Sequence, residues 1–137
     1  MREILFRGKS LKTGEWTQGY LFRCWERAYI LWGMVNDNAD MTEVDPETVC
    51  QYTGLTDKNG RKIFEGDILK ENIEDPETTG TDKFIYTVQY SDDHCAFTTS
   101  DVINEGYFEP LGEYINENVE VIGNIFDNPE LIGENNG

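Results

Sequence analysis

Three acids lie close together near the middle of the chain, Asp57, Glu65 and Asp67. Three such carboxylates could hold Mg²⁺ or Ca²⁺, or two of them could serve as an acid–base pair. Tyr52, Thr53 and Gly54 precede them, and Asn59-Gly60 marks a hairpin turn between. The run Asp57-Lys58-Asn59-Gly60 lacks the ligand spacing of a calcium loop. Lys58, Arg61 and Lys62 stand near enough to neutralise the acids. A structural role suits each residue as well. Gly54, Gly60 and Gly66 permit special backbone angles. Asp57 can accept from the amides of its own turn, and Asp67 opens the apolar pair Ile68-Leu69. Thiol chemistry has less support. Cys24, Cys50 and Cys95 are odd in number, widely spaced and without a CxxC pair. The single histidine, His94, adjoins Cys95, and on a strand the two side chains face opposite ways. A zinc site would need Cys24 and Cys50 to converge on that pair. No GxSxG, HExxH or P-loop is present. The expectation is no catalytic residue, no metal and no cofactor.

The elements that must position these residues are constrained first by charge. The chain has 137 residues, 11 Lys plus Arg against 27 Asp plus Glu, and a net charge of -16. Residues 1–70 hold 11 acids and 10 bases, and residues 71–137 hold 16 acids and one base, Lys83. The halves therefore sum to -1 and -15. Such a balance argues against gripping nucleic-acid phosphates, which depends on Lys and Arg displacing counterions, and against docking on anionic membranes. A local basic patch around Arg2, Arg7, Lys9 and Lys12 survives that exclusion. The longest uncharged apolar segment is far too short to cross a bilayer, and the N-terminal residues lack a signal-peptide stretch. A cytoplasmic protein with reduced thiols is expected.

Short alternating runs between turn signals predict a mainly β protein, a small barrel or roll with few helical turns. A first strand is read over Arg2–Arg7, a second over Glu15–Phe22, and a well-buried third over Tyr29–Val35. Asn36–Met41 reads as a loop. Asp45-Pro46-Glu47-Thr48 reads as a capped turn start. Val49–Tyr52 is a short strand, Asn59-Gly60 a type I′ turn, and Lys62–Lys70 a strand kinked at Gly66. Asn72–Asp82 is expected to be a long loop. Phe84, Tyr86, Val88 and Tyr90 share one face of a strand that pairs with Cys95–Thr99. Val119–Phe126 closes the chain, before a short helix capped by Asn128-Pro129 and stopped at Gly133. The tail after it should fray.

The segment Asp45–Ile68, with its Tyr52-Thr53-Gly54-Leu55-Thr56-Asp57-Lys58-Asn59-Gly60 core and Glu65-Gly66-Asp67, resembles the signature of the YopX family of phage and prophage proteins. Met1–Lys9 with Gly14-Glu15-Trp16 and Gly19–Phe22 is similar to the family's opening, and Val121–Leu131 to its close. Cys50 departs from the small residue expected at its place. The resemblance implies an SH3-like β-barrel in the later part, expression inside a bacterial host, and no established catalytic residue. It suggests an N-terminal β-meander over 1–44 and an SH3-like domain over 45–137 carrying the signature.

Together these readings favour a non-catalytic protein-binding or adaptor module. Trp16, Tyr20, Trp25, Tyr29 and Trp32 are its candidate anchors, with Trp16 and Trp32 expected to be mostly buried. The signature residues Tyr52, Thr53, Gly54, Asp57, Asn59, Gly60, Glu65, Gly66 and Asp67 form a second candidate interaction site. The alternatives are an acidic decoy that imitates DNA, with Glu105, Glu109, Glu113 and Glu117 as a helical stripe near Glu120, and a metal-dependent enzyme. A protein partner is expected, nucleic acid and membrane are not, and any homo-oligomer should form through residues 1–70, where the charge is nearly balanced.

Overall fold

The computed structural model describes residues 3–74, 77, 80–101, 108–115 and 118–133. It is mainly β and antiparallel, and it divides into two compact units, residues 1–54 and 55–137. The mainly β expectation holds, with two sheets in place of one closed barrel.

In the first unit the strands are β1 (Phe6–Lys9), β2 (Trp16–Cys24), β3 (Arg27–Val35), β4 (Asn38–Val44) and β5 (Cys50–Thr56), which runs two residues past the boundary. They lie in the order β4-β3-β2-β1-β5. Two tight hairpins build this meander. Cys24 pairs with Arg27, leaving Trp25-Glu26 as a two-residue loop with a positive φ at Trp25 (56°). Val35 pairs with Asn38, and both Asn36 (51°) and Asp37 (65°) have positive φ. Positive φ at both central residues is the requirement of a type I′ turn, whose twist matches that of the strands. Residues 36–41, read from the sequence as a loop, thus hold a hairpin turn and most of a strand. Asn-Gly is the preferred pair there, so Asp37→Gly is expected to stabilise the protein by about 0.5 kcal/mol. A thermal melt should show an upward shift of a few degrees.

The inner face of this sheet buries Ala28, Ile30 and Val44, packed by Phe6, Leu21 and Val49. The sheet rolls so far that the end of β4 meets the end of β1. Ser10 bridges Val44, Leu11 N–H donates to the Glu43 carbonyl (3.1 Å) and Asp45 N–H to the Lys9 carbonyl (2.8 Å). A short 3-10 helix, Pro46–Thr48, then leads into β5, with the Asp45 side chain accepting from Glu47 N–H as its cap. That cap was legible in the sequence. The first strand is shorter and later than Arg2–Arg7.

In the second unit, β6 (Lys62–Phe64) follows the turn at 57–61. A five-stranded sheet has the order β10-β9-β8-β7-β11. Its strands are β7 (Asp67–Glu74), β8 (Thr81–Ser91), β9 (Ala96–Asp101), β10 (Phe108–Pro110) and β11 (Val119–Asn124). Because β7 runs to Glu74 and β8 starts at Thr81, both ends of the expected 72–82 loop are strand, in ladder register from Asn72–Lys83 to Glu74–Thr81. Two four-residue helices complete the unit, α1 (Leu111–Tyr114) and α2 (Glu130–Gly133). The second follows the Asn128-Pro129 cap as expected, with Leu131 N–H donating to the Asn128 carbonyl. The core is Ile63, Leu69, Val88, Leu111, Val119 and Val121. The expected fraying of the tail lies outside the described residues.

Candidate functional site

The signature residues are mostly committed to backbone. Asp57 is 6% exposed. Its Oδ1 accepts from Asn59 N–H and Arg61 N–H, both at 2.9 Å, and its Oδ2 accepts from Val121 N–H at 2.9 Å. One carboxylate therefore shapes the β5–β6 turn and fastens it to β11, 64 residues away. Burial would push its pKa up. The N–H donors of Val121, Arg61 and Asn59, aided by the Arg61 guanidinium, outweigh that and hold it below the ordinary aspartate value. The turn differs from the expected type I′ form. Gly60 has a positive φ (79°), whereas Asn59 is not among the residues with positive φ. Gly60 N–H donates to the Asp57 carbonyl and Asp57 N–H to that of Arg61, so the loop is a longer one with glycine in the left-handed position.

Asp67 is 1% exposed, and its Oδ2 accepts from Phe64 N–H at 2.8 Å. That bond closes a true turn at Glu65-Gly66 where a kinked strand was expected, with Gly66 at φ 81°. Gly66 is the hub of the turn: its N–H donates to the Val88 carbonyl and its carbonyl accepts from Ile125 N–H. Tyr52 is buried, Thr53 is half-buried, and Gly54 is exposed with φ 90°. Tyr52 N–H donates to the Leu5 carbonyl. Both oxygens of Asp57 and Oδ2 of Asp67 are thus turned to backbone amides. No group of three or more His, Cys, Asp or Glu able to hold a metal ion occurs among the described residues.

The remaining sequence candidates are scattered. His94 and Cys95 sit in the β8–β9 turn and not on a strand. His94 Nδ1 lies 2.8 Å from Ser91 Oγ, and Cys95, at φ 50°, directs its thiol to the Asp92 carbonyl. All three cysteines are free, and the buried Cys50 donates to the Thr48 carbonyl. The proposed acidic stripe does not share a helix. Glu109 belongs to β10 and Glu113 to α1, while Glu105 and Glu117 lie outside the described residues.

A different site emerges in the first unit. Along β2, residues Trp16, Gln18, Tyr20 and Phe22 alternate onto one face. Tyr20 stands opposite Leu31, which stands opposite Met41; Phe22 stands opposite Tyr29, which stands opposite Glu43. This is the outer face of the roll. Tyr20 is 66% exposed, Phe22 49% and Met41 50%, and Trp25 at the hairpin tip is 94% exposed. The Phe22 and Tyr29 rings lie 6.1 Å apart. The third strand is thus half exposed rather than well buried. A bulge falls between Leu31 and Gly33, and Trp32 is 56% exposed, against the expectation of burial. Trp16 is half-buried. The Arg7 guanidinium lies 4.6 Å and the Lys9 ammonium 5.4 Å from its ring centre, two cations packed on one indole.

Where the roll stays unjoined, a groove of about 730 Å³ opens. The Ser10–Glu15 turn, the start of β2, Trp32 of β3 and Met41–Glu43 of β4 bound it. Trp32 Nε1 donates to Thr42 Oγ1 at 3.0 Å, which fixes the indole at the rim. Its volume is in the range of ligand-binding clefts. The aromatics were legible as anchors from their type. Leu11 and Met41 were not, because only the return of β4 to the end of β1 brings them beside Trp16 and Trp32.

The family model described as YopX protein matches residues 5–133. The solved structure titled "Crystal structure of protein EF1440 from Enterococcus faecalis" is 23% identical, covers 96% of this chain and 99% of its own, and superposes with a TM-score of 0.57. At that identity the likeness is one of fold. No curated protein matches the chain.

Proposed function

Since this chain belongs to the YopX family, we propose that it is a small non-catalytic protein-binding module, encoded by a phage or prophage and acting in the cytoplasm of a bacterial host. The observation that carries this reading is where apolar surface is left uncovered. Eleven large apolar side chains are exposed among the described residues, and nine of them lie in residues 1–54, all but Tyr90 and Ile125. Scattered exposed apolars are ordinary, but their concentration in one unit marks it as the one with an interaction surface. Tyrosine, tryptophan, phenylalanine and methionine make up most of it, the residue types enriched at the centre of protein interfaces. The near balance of charge in this unit, 8 acids and 6 bases, fits the same role. Residues 55–137 carry the other 19 acids and 5 bases, a net -14 that keeps that unit in water.

The test is an affinity capture from host lysate, run in parallel with wild type and with a Tyr20→Ser, Met41→Ser double variant. A specific protein held by wild type and lost by the variant is expected. Both positions face solvent, so the variant should melt within a few degrees of wild type. A wild-type bait that enriches no protein counts against a binding module.

A further inference from the structure

We infer that the groove of the first unit receives an extended, basic peptide segment of a partner protein, which adds to the edge of β4 at Met41 as a further antiparallel or parallel strand. This rests on the reading of the chain as a protein-binding module and names the site and the partner's chemistry.

The argument starts from hydrogen-bond parity. Strand β4 is the edge of its sheet. The Glu43 carbonyl accepts from Leu11 N–H, so it points away from β3. In an antiparallel ladder the backbone groups of residues two apart point the same way. The N–H and C=O of Met41 therefore also point off the edge. Leu11 covers the edge only as far as Glu43. At Lys12 the chain turns back, with Gly14 N–H donating to the Ser10 carbonyl, and leaves the place beside Met41 open. Met41, Thr42 and Glu43 line the groove along with Trp16 and Trp32. An added strand would set its backbone against Met41 and its alternate side chains against the indoles, the arrangement by which sheet edges capture peptides.

Charge selects the partner. The edge strand carries Asp40 and Glu43 and no Lys or Arg, and of the charged side chains lining the groove Glu15 and Glu43 outnumber Lys12. Pairing β4 of one copy with β4 of another would line four carboxylates, Asp40 and Glu43 of each, along one ladder, on a molecule whose net charge is -16. Like charges across a ladder are destabilising, so a second copy is a poor occupant. A strand bearing Lys or Arg between apolar residues is complementary.

The experiment pans a displayed library of random decapeptides against the full chain at low salt. Enriched peptides are expected to alternate apolar residues with Lys or Arg and to weaken as salt rises. Their affinity should fall about tenfold or more on Met41→Pro, the expected loss of main-chain bonding at that residue. An edge N–H is where a strand tolerates proline, so this variant should keep the parent's circular dichroism. Methylation of the peptide's central amide reads the same bonding on the unaltered protein, should Met41→Pro fail to fold. Peptides that bind folded Met41→Pro and their N-methylated forms undiminished overturn strand addition but leave the binding module standing. A library that yields no binder overturns both. A dimer on a sizing column that Met41→Pro dissolves overturns the choice of partner in favour of a second copy.

Discussion

Replacing Asp57 by alanine is expected to cost about 3 kcal/mol and to lower the melting temperature on the order of 10 °C. Three amides lose one shared acceptor in that change. Asn59 and Arg61 are exposed, so water can take up much of their loss. Val121 is 7% exposed, and its N–H would be left without the acceptor it has now. An unmet buried donor accounts for the larger share of the cost. Asp57→Asn should be intermediate: an amide oxygen can still serve one side, but its nitrogen then opposes an N–H. The effect should also depend on pH in a defined direction. The folded-state pKa of Asp57 lies below the ordinary value. Its contribution is therefore fully present above the unfolded value of about 3.9, and it is lost as pH falls through the lower folded value. The stability gap between wild type and Asp57→Ala, measured by urea denaturation, should be constant near neutrality and shrink below about pH 4. A gap that stays constant into that range would show that the carboxylate's charge is not what holds the turn to β11.

The second large effect is expected at Gly19. A Cβ built there would fall inside the radius of the Leu31 carbonyl oxygen and close to Ile30, and the obstruction is backbone, which cannot rotate away. Gly19 lies where β2 passes from its pairing with β1, at Phe6, to its pairing with β3, at Tyr20–Leu31. Gly19→Ala must push those strands apart at the middle of the roll, at a cost of about 3 kcal/mol or more. Gly33→Ala is the control: its nearest neighbour is the end of the Asp40 side chain at 3.6 Å, an ordinary contact, and its φ is not positive. It should melt within a few degrees of wild type. Thermal denaturation followed by circular dichroism distinguishes the two, and equal melting temperatures would mean that the roll is looser at Gly19 than its geometry requires.

These two positions also show what a sequence conveys and what it leaves out. Features decided within a few residues were legible: the Asp45-Pro46 cap, the Asn128-Pro129 cap, the alternation of β8 and the closing strand. Asp57 could be read as a turn former, because its turn amides follow directly. Its bond to Val121 could not, since spacing in sequence carries no trace of a partner 64 residues on. Strand β4 was missed for a different reason. Asn, Asp and Ala disfavour strands on their own, and here the Asn36-Asp37 turn and the pairing with β3 override that preference. The apolar run 29–35 read as buried because a continuous run does not say which face is covered. The bulge beside Trp32 then turns its last residues outward, and Met34 and Val35 are 68% and 58% exposed. The groove was the least legible feature, being made by the rolling of one sheet rather than by any stretch of residues.

The placement of the indoles has a practical consequence. Trp16, Trp25 and Trp32 are the three tryptophans of the chain, and all belong to residues 1–54. Residues 55–137 carry tyrosine and phenylalanine but no indole. Tryptophan emission is thus a private optical channel of the first unit. Within it, Trp25 is bathed in solvent and will quench freely with neutral acrylamide, whereas half-buried Trp16, with Arg7 and Lys9 packed at its ring, will be shielded. One cuvette of unlabelled protein carries its own address labels, with the rest of the molecule dark at that wavelength.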